Sequence, residues 1–224
     1  EPTSMKAVQA HKGCYEYSTY FTGLAGHGSA PDKGVNAVEY ASLYINKLME
    51  LREELKKREP KNSVFTPPYS TLQIGGIRGG LARNVIADQC TVDWEMRPVI
   101  PEDGKFVTQN MEAYVKNVLL PKMRKVYPKA NIKKEIIGEI IGFTKEEKSD
   151  AVNLVCNLTG DNSRDVVSFG TEAGLFQELG ISTVVCGPGS IEQAHTIDEY
   201  VSFNQLKLCL KMLIDLKEQI TNST

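Results

Sequence analysis

The sequence has 224 residues, of which 41% are hydrophobic and 24% are charged, and its formal net charge is −2. This is the composition of a globular protein with a substantial core, arranged as one large domain or two small ones. Because basic residues are scattered among acidic ones, the chain offers no positive patch for nucleic acid or for an anionic membrane.

The cysteines and the apolar runs indicate a cytoplasmic protein. Five cysteines are widely spaced and form no CxxC pair, which is typical of reduced thiols. No apolar run approaches the roughly 20 residues needed to cross a bilayer, and the start carries no signal-peptide pattern. The chain opens with EPTS, which is no natural initiation sequence, so we expect it to be a fragment.

The first part of the chain alternates strands and helices in a recognisable order. The order predicts a ferredoxin-like βαββαβ unit, with two helices on one antiparallel sheet. Pro121 is expected to kink or end the second helix. In chain order, the patterns predict extended segments at 5–10 and 14–23, a turn at 26–34, a helix at 36–58, strands at 70–77 and 90–97, a helix at 105–126 and a strand at 132–137.

The pattern changes from about residue 142 to alternating helices and strands, which indicates an α/β unit with parallel strands. The predicted elements are a helix at 145–158, a strand at 166–169, a helix at 172–179, a buried strand at 181–186 and a closing amphipathic helix at 203–220.

A glycine-rich turn follows the strand predicted at 181–186 and leads to His195. The stretch reads GPGSIEQAHTIDEY over residues 187–200 and surrounds the histidine with carboxylates. Imidazole nitrogen is a common zinc donor, but a lone loop histidine is more often a surface residue than a ligand. One of Glu192, Asp198 and Glu199 is a candidate to orient the His195 ring, and solvent-facing roles for all three stay open.

Three stretches taken together resemble a known family. They are EPTS at 1–4, GHGSAPDKGVNA at 26–37, and GPGSIEQAH at 187–195 with DEY at 198–200. They are similar to motifs of the dinuclear-zinc amidohydrolases, a family that includes aminoacylases and acetylornithine deacetylases. AHKG at 10–13 and GTEA at 170–173 favour the deacetylase branch.

The resemblance implies a catalytic domain interrupted by an inserted lid through which two subunits form a homodimer. Residues 13–138 would be this ferredoxin-like lid, and residues 1–12 and 139–224 would be the C-terminal part of the α/β catalytic domain. It also implies two zinc ions per active site, with cobalt as a possible substitute.

The resemblance also assigns roles to individual residues. Glu1 and His195 would each bind a zinc ion. His27 would reach the neighbouring subunit's active site and stabilise the oxyanion, a role that suits a positioned donor. Asn84 would support the transition state, Arg97 would hold the substrate carboxylate, and Glu172 would pair with a cationic substrate group beside Gly170 and Thr171.

Ordinary structural roles stay open for several of these residues. His27 can be a plain loop histidine, Asn84 can cap a turn, Arg97 can be a surface residue, and Glu172 can favour the start of a helix. His11, at the end of a strand, is predicted to be structural.

The implied reaction is hydrolysis of the amide of an N-acyl amino acid, with N2-acetyl-L-ornithine as the expected substrate. The family's remaining ligands and its general base lie upstream of the EPTS motif, so we expect this chain alone to be inactive and to hold two zinc ions poorly. The alternatives are another aminoacylase or dipeptidase on the same scaffold, or a fragment that serves only as a dimerisation module.

Overall fold

The computed structural model describes residues 1–222, and the chain forms two compact units. The central unit is Gly13–Ile140; the terminal unit joins Glu1–Lys12 to the residues from Ile141 onward. The strands are β1 Ala7–His11, β2 Cys14–Thr22, β3 Thr71–Gly79, β4 Gln89–Arg97, β5 Asn131–Ile140 and β6 Arg164–Val167. The α-helices are α1 Ala37–Lys57, α2 Pro101–Tyr114, α3 Leu120–Val126, α4 Asp150–Thr159, α5 Ala173–Glu178 and α6 Phe203–Asn222.

The central unit is built on a four-stranded sheet in the order β3-β4-β2-β5, with every neighbouring pair antiparallel. Side chains alternate along strand β4: the even-numbered ones are buried, and the odd-numbered ones are partly or fully exposed. A sheet with one solvated face gives this period of two. The buried face meets helix α1, which begins at Asn36, whose side chain accepts from the backbone amides of Val38 and Glu39. The α1 side chains buried there are Ala37, Ala41, Tyr44, Leu48, Leu51 and Leu55.

Pro121 disturbs the second helical region, as the sequence predicts. Helix α2 passes into a π-helical turn at Val115–Leu119, and α3 then carries Pro121 in its first turn. Proline has no backbone N–H and its ring crowds the preceding turn, so a wider turn just before it accommodates both effects.

In the terminal unit, β1 pairs with β6 in parallel, as predicted, and all five β1 residues are buried. The strand predicted at 181–186 is not formed. Val185 alone makes an antiparallel bridge, through two hydrogen bonds with Val8 of 2.9 and 3.1 Å. Helix α4 begins at Asp150 rather than 145, because the Ser149 hydroxyl caps it by accepting from the Val152 amide.

Helix α6 presents most of its apolar side chains to solvent. Met212 is its only buried residue within 203–222. None of the helices in the described residues is apolar enough over a sufficient length to cross a membrane. The exposed apolar side chains of α6 include Phe203, Leu206, Leu208, Leu210, Leu213, Ile214 and Ile220.

Candidate active site

The first residues of the chain are hydrogen-bonded onto the glycine turn that precedes His195. The amides of Thr3 and Met5 donate to the Gly187 carbonyl at 3.2 and 3.0 Å, and the Ser4 amide donates to the Gly189 carbonyl at 2.6 Å. The Gly187 amide donates back to the Thr3 hydroxyl at 3.0 Å. These bonds fix the position of the EPTS motif, and therefore of Glu1, relative to the turn.

The loop that carries His195 is held by its own polar groups. Ser190 and Gln193 form a capping box at the start of a short 3₁₀ turn. His195 adopts a φ of +59°, a left-handed conformation that is uncommon for a residue other than glycine. The Glu199 carboxylate accepts from the His195 backbone N–H at 2.8 Å. Glu199 thus orients His195 through the main chain rather than through the ring.

Glu1, Gly170 and His195 line one cavity of about 750 Å³ in the terminal unit. The structure therefore brings Glu1 together with Gly170 and His195, which lie 169 and 194 positions further along the chain. The wall also contains Pro2, Phe169, Pro188, Gly189, Ser190, Ile191, Gln193, Ala194, Glu199, Tyr200 and Val201.

Thr171 and Glu172 follow Gly170 but do not line this cavity. Thr171 is buried and bonded to His11, whose Nε2 atom lies 3.2 Å from the Thr171 amide nitrogen and 2.9 Å from its hydroxyl. Glu172 is exposed at the start of α5, and its side chain makes no capping hydrogen bond. Its carboxylate is therefore accessible to a solute.

His27 and Asn84 lie side by side in the central unit. His27 forms a bridge with Val85, and the Gly28 amide donates to the Asn84 carbonyl at 2.8 Å. The Ser29 amide donates to His27 Nδ1 at 3.2 Å, and the Ser29 hydroxyl lies 2.7 Å from the same atom. With Nδ1 accepting, the neutral ring carries its proton on Nε2, so exposed His27 presents an N–H donor.

Arg97 lies at the other end of the sheet. It ends β4, and its guanidinium pairs with Glu95 at 2.8 Å. Gln89, which begins β4, pairs with Thr22 at the end of the sheet nearer His27. With a rise of about 3.3 Å per residue, the two ends of β4 are about 26 Å apart. The structure therefore does not bring Arg97 to His27 and Asn84.

The donors present do not make a complete metal site. Zinc sites use three or four protein ligands. Within residues 1–222, no group of three or more His, Cys, Asp or Glu side chains is arranged to hold a metal ion. Glu1 and His195 supply two chemically suitable donors, and a complete site requires more.

Sequence patterns did not reveal two of the contacts that shape this region. The bond between His11 and Thr171 joins residues 160 positions apart, and the sequence predicts only a structural role for His11. Their motifs, AHKG and GTEA, are the only signal that the sequence gives of a connection. The Glu199 bond to the His195 backbone is similar, since only the carboxylate's proximity in sequence hints at it.

Comparison with known proteins identifies the family and the fold of this chain. Residues 9–123 match the family model of the M20 peptidase dimerisation domain. A tripeptidase from Staphylococcus aureus has the same fold, with a TM-score of 0.67 at 22% identity, over 94% of this chain and 52% of that structure.

Two acetylornithine deacetylases are among the curated relatives. The one from Buchnera aphidicola is 37% identical over 90% of this chain and 51% of its own length. The one from Shigella sonnei is 34% identical over 96% of this chain and 54% of its own length. The chain thus spans about half the length of the relatives it matches. Because the family model takes in half of the sequence, the chain belongs to the M20 peptidase family.

Proposed function

We propose that this chain is part of a cytoplasmic enzyme that hydrolyses the amide bond of N2-acetyl-L-ornithine, giving acetate and L-ornithine. The observation that carries the proposal is the cavity lined by both Glu1 and His195. A carboxylate and an imidazole that meet in one cavity are the donor types found in hydrolytic zinc sites. The relatives named acetylornithine deacetylase support this substrate within the family.

In the complete enzyme, Glu1 and His195 would each contribute one ligand to a zinc site. The family resemblance implies two zinc ions, with cobalt as a possible substitute. The other ligands and the general base would come from polypeptide that this sequence does not include. The exposed apolar side chains of α6 support such an addition, because a contiguous apolar surface of this kind is usually covered in a complete protein.

The central unit would be a ferredoxin-like lid, with residues 13–138 as its proposed limits, through which two subunits form a homodimer. The strand order β3-β4-β2-β5 and the helices between the strands support this class. Strands β3 and β5 have unpaired edges within this sheet, and an unpaired edge can add a strand from a second copy. The match to a peptidase dimerisation domain points to the same role.

His27 would donate its Nε2 hydrogen to the oxyanion that forms when the substrate carbonyl is attacked. A donor already held in place by Ser29 is suited to this, because it needs no reorganisation as the charge develops. Asn84, adjacent to it, would support the same transition state.

Arg97 would bind the substrate carboxylate through its guanidinium. Since about 26 Å separates the two ends of β4, one small substrate cannot contact both Arg97 and His27 of the same lid. The two ends of a lid would therefore serve two different active sites of the dimer. This supports the proposal that His27 acts in the partner subunit's site.

Glu172 would select the substrate's cationic side chain. Its carboxylate is exposed next to Gly170, which lines the cavity, so an ornithine amine bound near that wall could pair with it. Gly170 would contribute a backbone contact, whereas the Thr171 hydroxyl, expected from the motif to contact the substrate, is buried and bonded to His11 and to the Ala173 amide instead.

The test is an amine-release assay on the complete enzyme, meaning this chain together with the portion of the relatives that it does not span. N2-acetyl-L-ornithine, N-acetyl-L-methionine and an alanine dipeptide are compared. We expect N2-acetyl-L-ornithine to be hydrolysed fastest, a chelator to abolish activity, and zinc or cobalt to restore it.

The other outcomes distinguish the alternatives. Preference for N-acetyl-L-methionine or for the dipeptide would assign the protein to another aminoacylase or dipeptidase. A metal-free dimer of the 224-residue chain, together with an inactive complete enzyme, would favour a dimerisation module. Light scattering and metal analysis of the chain alone supply these two observations.

A further inference from the structure

His11 occupies a fixed position in the middle of the terminal unit. It ends β1, where it lies opposite Val167 of β6. On its other side, its backbone exchanges two hydrogen bonds of 2.9 Å with Phe143, and its ring lies 5.8 Å from the Phe143 ring. The residue is 1% exposed, so neither its backbone nor its side chain has room to move independently.

The hydrogen bonds of the ring define its protonation state. Nδ1 lies 2.8 Å from the Lys12 carbonyl oxygen, which can only accept, so Nδ1 must carry a hydrogen. On the other side, the Thr171 backbone N–H points at Nε2 from 3.2 Å, so Nε2 must be the acceptor. His11 is therefore a neutral imidazole in the Nδ1–H tautomer.

Thr171 is held by three hydrogen bonds at two of its atoms, the backbone nitrogen and the hydroxyl oxygen. Its backbone N–H and its hydroxyl both meet His11 Nε2, and its hydroxyl oxygen accepts from the Ala173 amide at 3.1 Å. The hydroxyl thus donates to the imidazole and accepts from the first turn of α5. This fixes Thr171 between Gly170, which lines the cavity, and Glu172, whose carboxylate is exposed.

We infer that His11 is a positioning residue for the substrate-binding segment Gly170-Thr171-Glu172, acting through the acceptor lone pair of Nε2. It touches no substrate itself. The inference rests on the proposed function, since that function makes this segment a part of the substrate site. A residue that only filled the core would need the size of an imidazole but not its acceptor.

Two substitutions separate these roles. His11→Phe keeps a planar ring of similar size and removes the acceptor, whereas His11→Gln keeps an acceptor at about the reach of Nε2. The first measurement is amide hydrogen exchange at Thr171 by NMR in the 224-residue chain. We expect exchange to be about tenfold faster in His11→Phe and within about threefold of the wild type in His11→Gln, as suits loss of one hydrogen bond.

The second measurement is steady-state kinetics of the complete enzyme on N2-acetyl-L-ornithine. A positioning role predicts a KM about tenfold higher in His11→Phe, a smaller change in kcat, and recovery of KM in His11→Gln. Equal Thr171 exchange rates in all three proteins, or equal KM values, would overturn the inference.

The proposed function can fail separately. If the wild-type complete enzyme does not hydrolyse N2-acetyl-L-ornithine, that proposal is lost, and the exchange measurement still decides whether His11 holds Thr171. If His11→Phe does not fold, His11→Leu replaces it, because leucine has a similar volume to histidine and likewise offers no acceptor to the Thr171 amide. Faster exchange at residue 171 supports the inference in that case, and unchanged exchange contradicts it.

Discussion

Gly187 lies against the backbone of Glu1 so closely that a Cβ atom at position 187 would be 2.4 Å from the Glu1 carbonyl oxygen. Glycine is the residue that lets two backbone segments approach in this way. Gly187→Ala should therefore force the two segments apart and cost about 1–3 kcal/mol of stability. Hydrogen exchange measured by mass spectrometry should become faster in residues 1–5 and 185–190.

Gly75→Ala is the matched control for that substitution. A Cβ atom there would have its nearest neighbour, the Asp93 carbonyl oxygen, at 3.7 Å, which is an ordinary contact. Its exchange in the same two segments should equal that of the wild type. Unchanged exchange in Gly187→Ala would show that the segments do not depend on this close approach.

The stability of the terminal unit should depend on pH through His11. Burial lowers the pKa of the His11 imidazole below its usual value of 6.5, although the Lys12 carbonyl and the carboxylates of Glu1 and Glu172 act in the opposite direction. The unfolded chain therefore binds a proton at a higher pH than the folded chain does. The contribution of neutral His11 to the stability of the folded chain is fully present above about pH 6.5 and is lost as the pH falls through the folded-state pKa.

Urea unfolding of the wild type and of His11→Phe at pH 7.5, 6.5 and 5.5 measures this effect. The free energy of unfolding of the wild type should fall more between pH 7.5 and 5.5 than that of the variant, which has no titrating group at position 11. The other titratable groups are common to both proteins, so their contributions largely cancel in the difference between the two free energies of unfolding. Parallel pH profiles would contradict the prediction.

A buried carboxylate joins two parts of the central unit. Asp103 is 0% exposed and accepts from Arg58 Nε at 2.7 Å and from the Ser70 hydroxyl at 2.5 Å. Arg58→Met should cost about 2–3 kcal/mol, because it leaves the buried carboxylate without its cation. Asp103→Asn should cost less, about 1–2 kcal/mol, because the amide oxygen can still accept and the remaining guanidinium is partly solvated.

Trp94, the only tryptophan, lies in the central unit, and its fluorescence during urea unfolding can follow these variants. The double variant should cost less than the sum of the single variants, since the two residues are in direct contact. Lys57→Met is the control: its pair with Glu54 is exposed, so its loss should change stability by less than about 0.5 kcal/mol. If Arg58→Met also lowered the free energy of unfolding by less than about 0.5 kcal/mol, the buried pair between Arg58 and Asp103 would not be a source of stability.

Much of the central unit could be predicted from the sequence because its signals are local. The helix at 36–58, the strand at 90–97 and the effect of Pro121 each depend on residues that are neighbours in the sequence. The prediction of a strand at 181–186 was wrong, because a run of apolar β-branched residues indicates only that a segment can be extended. Whether it forms a ladder depends on its partner, and β1 bonds this segment only at Val185.

For the candidate site too, some features could be predicted from the sequence and others could not. Sequence motifs selected Glu1 and His195, and the hydrogen bonds between Thr3 and Gly187 supply the physical reason that they meet. The separation of Arg97 from His27 could not be predicted, because it follows from the direction of β4 in the folded sheet. The roles of all these residues stay predictions.

If the proposed function is right, the two ends of the proposed lid should serve the active sites of two different subunits. In the complete enzyme, His27→Ala and His195→Ala should each lower kcat by about 100-fold or more. We expect a heterodimer of these two variants, purified with a different tag on each subunit, to recover about half of the wild-type activity. If His27 acts in the partner's site, one of the heterodimer's two active sites contains neither substitution. If His27 acts in its own subunit, both sites are defective and activity is not recovered.

The positions of Arg97 and Asn84 extend this test. Because Arg97 lies at the opposite end of the sheet from His27, the heterodimer of His27→Ala and Arg97→Ala should also contain one intact site and regain about half of the activity. Asn84 is adjacent to His27 and would serve the same site. The heterodimer of His27→Ala and Asn84→Ala should therefore stay inactive, since each site receives one defective residue. Recovery in this last pair, or none in the pair with Arg97, would show that the two ends of the lid are not divided between two active sites.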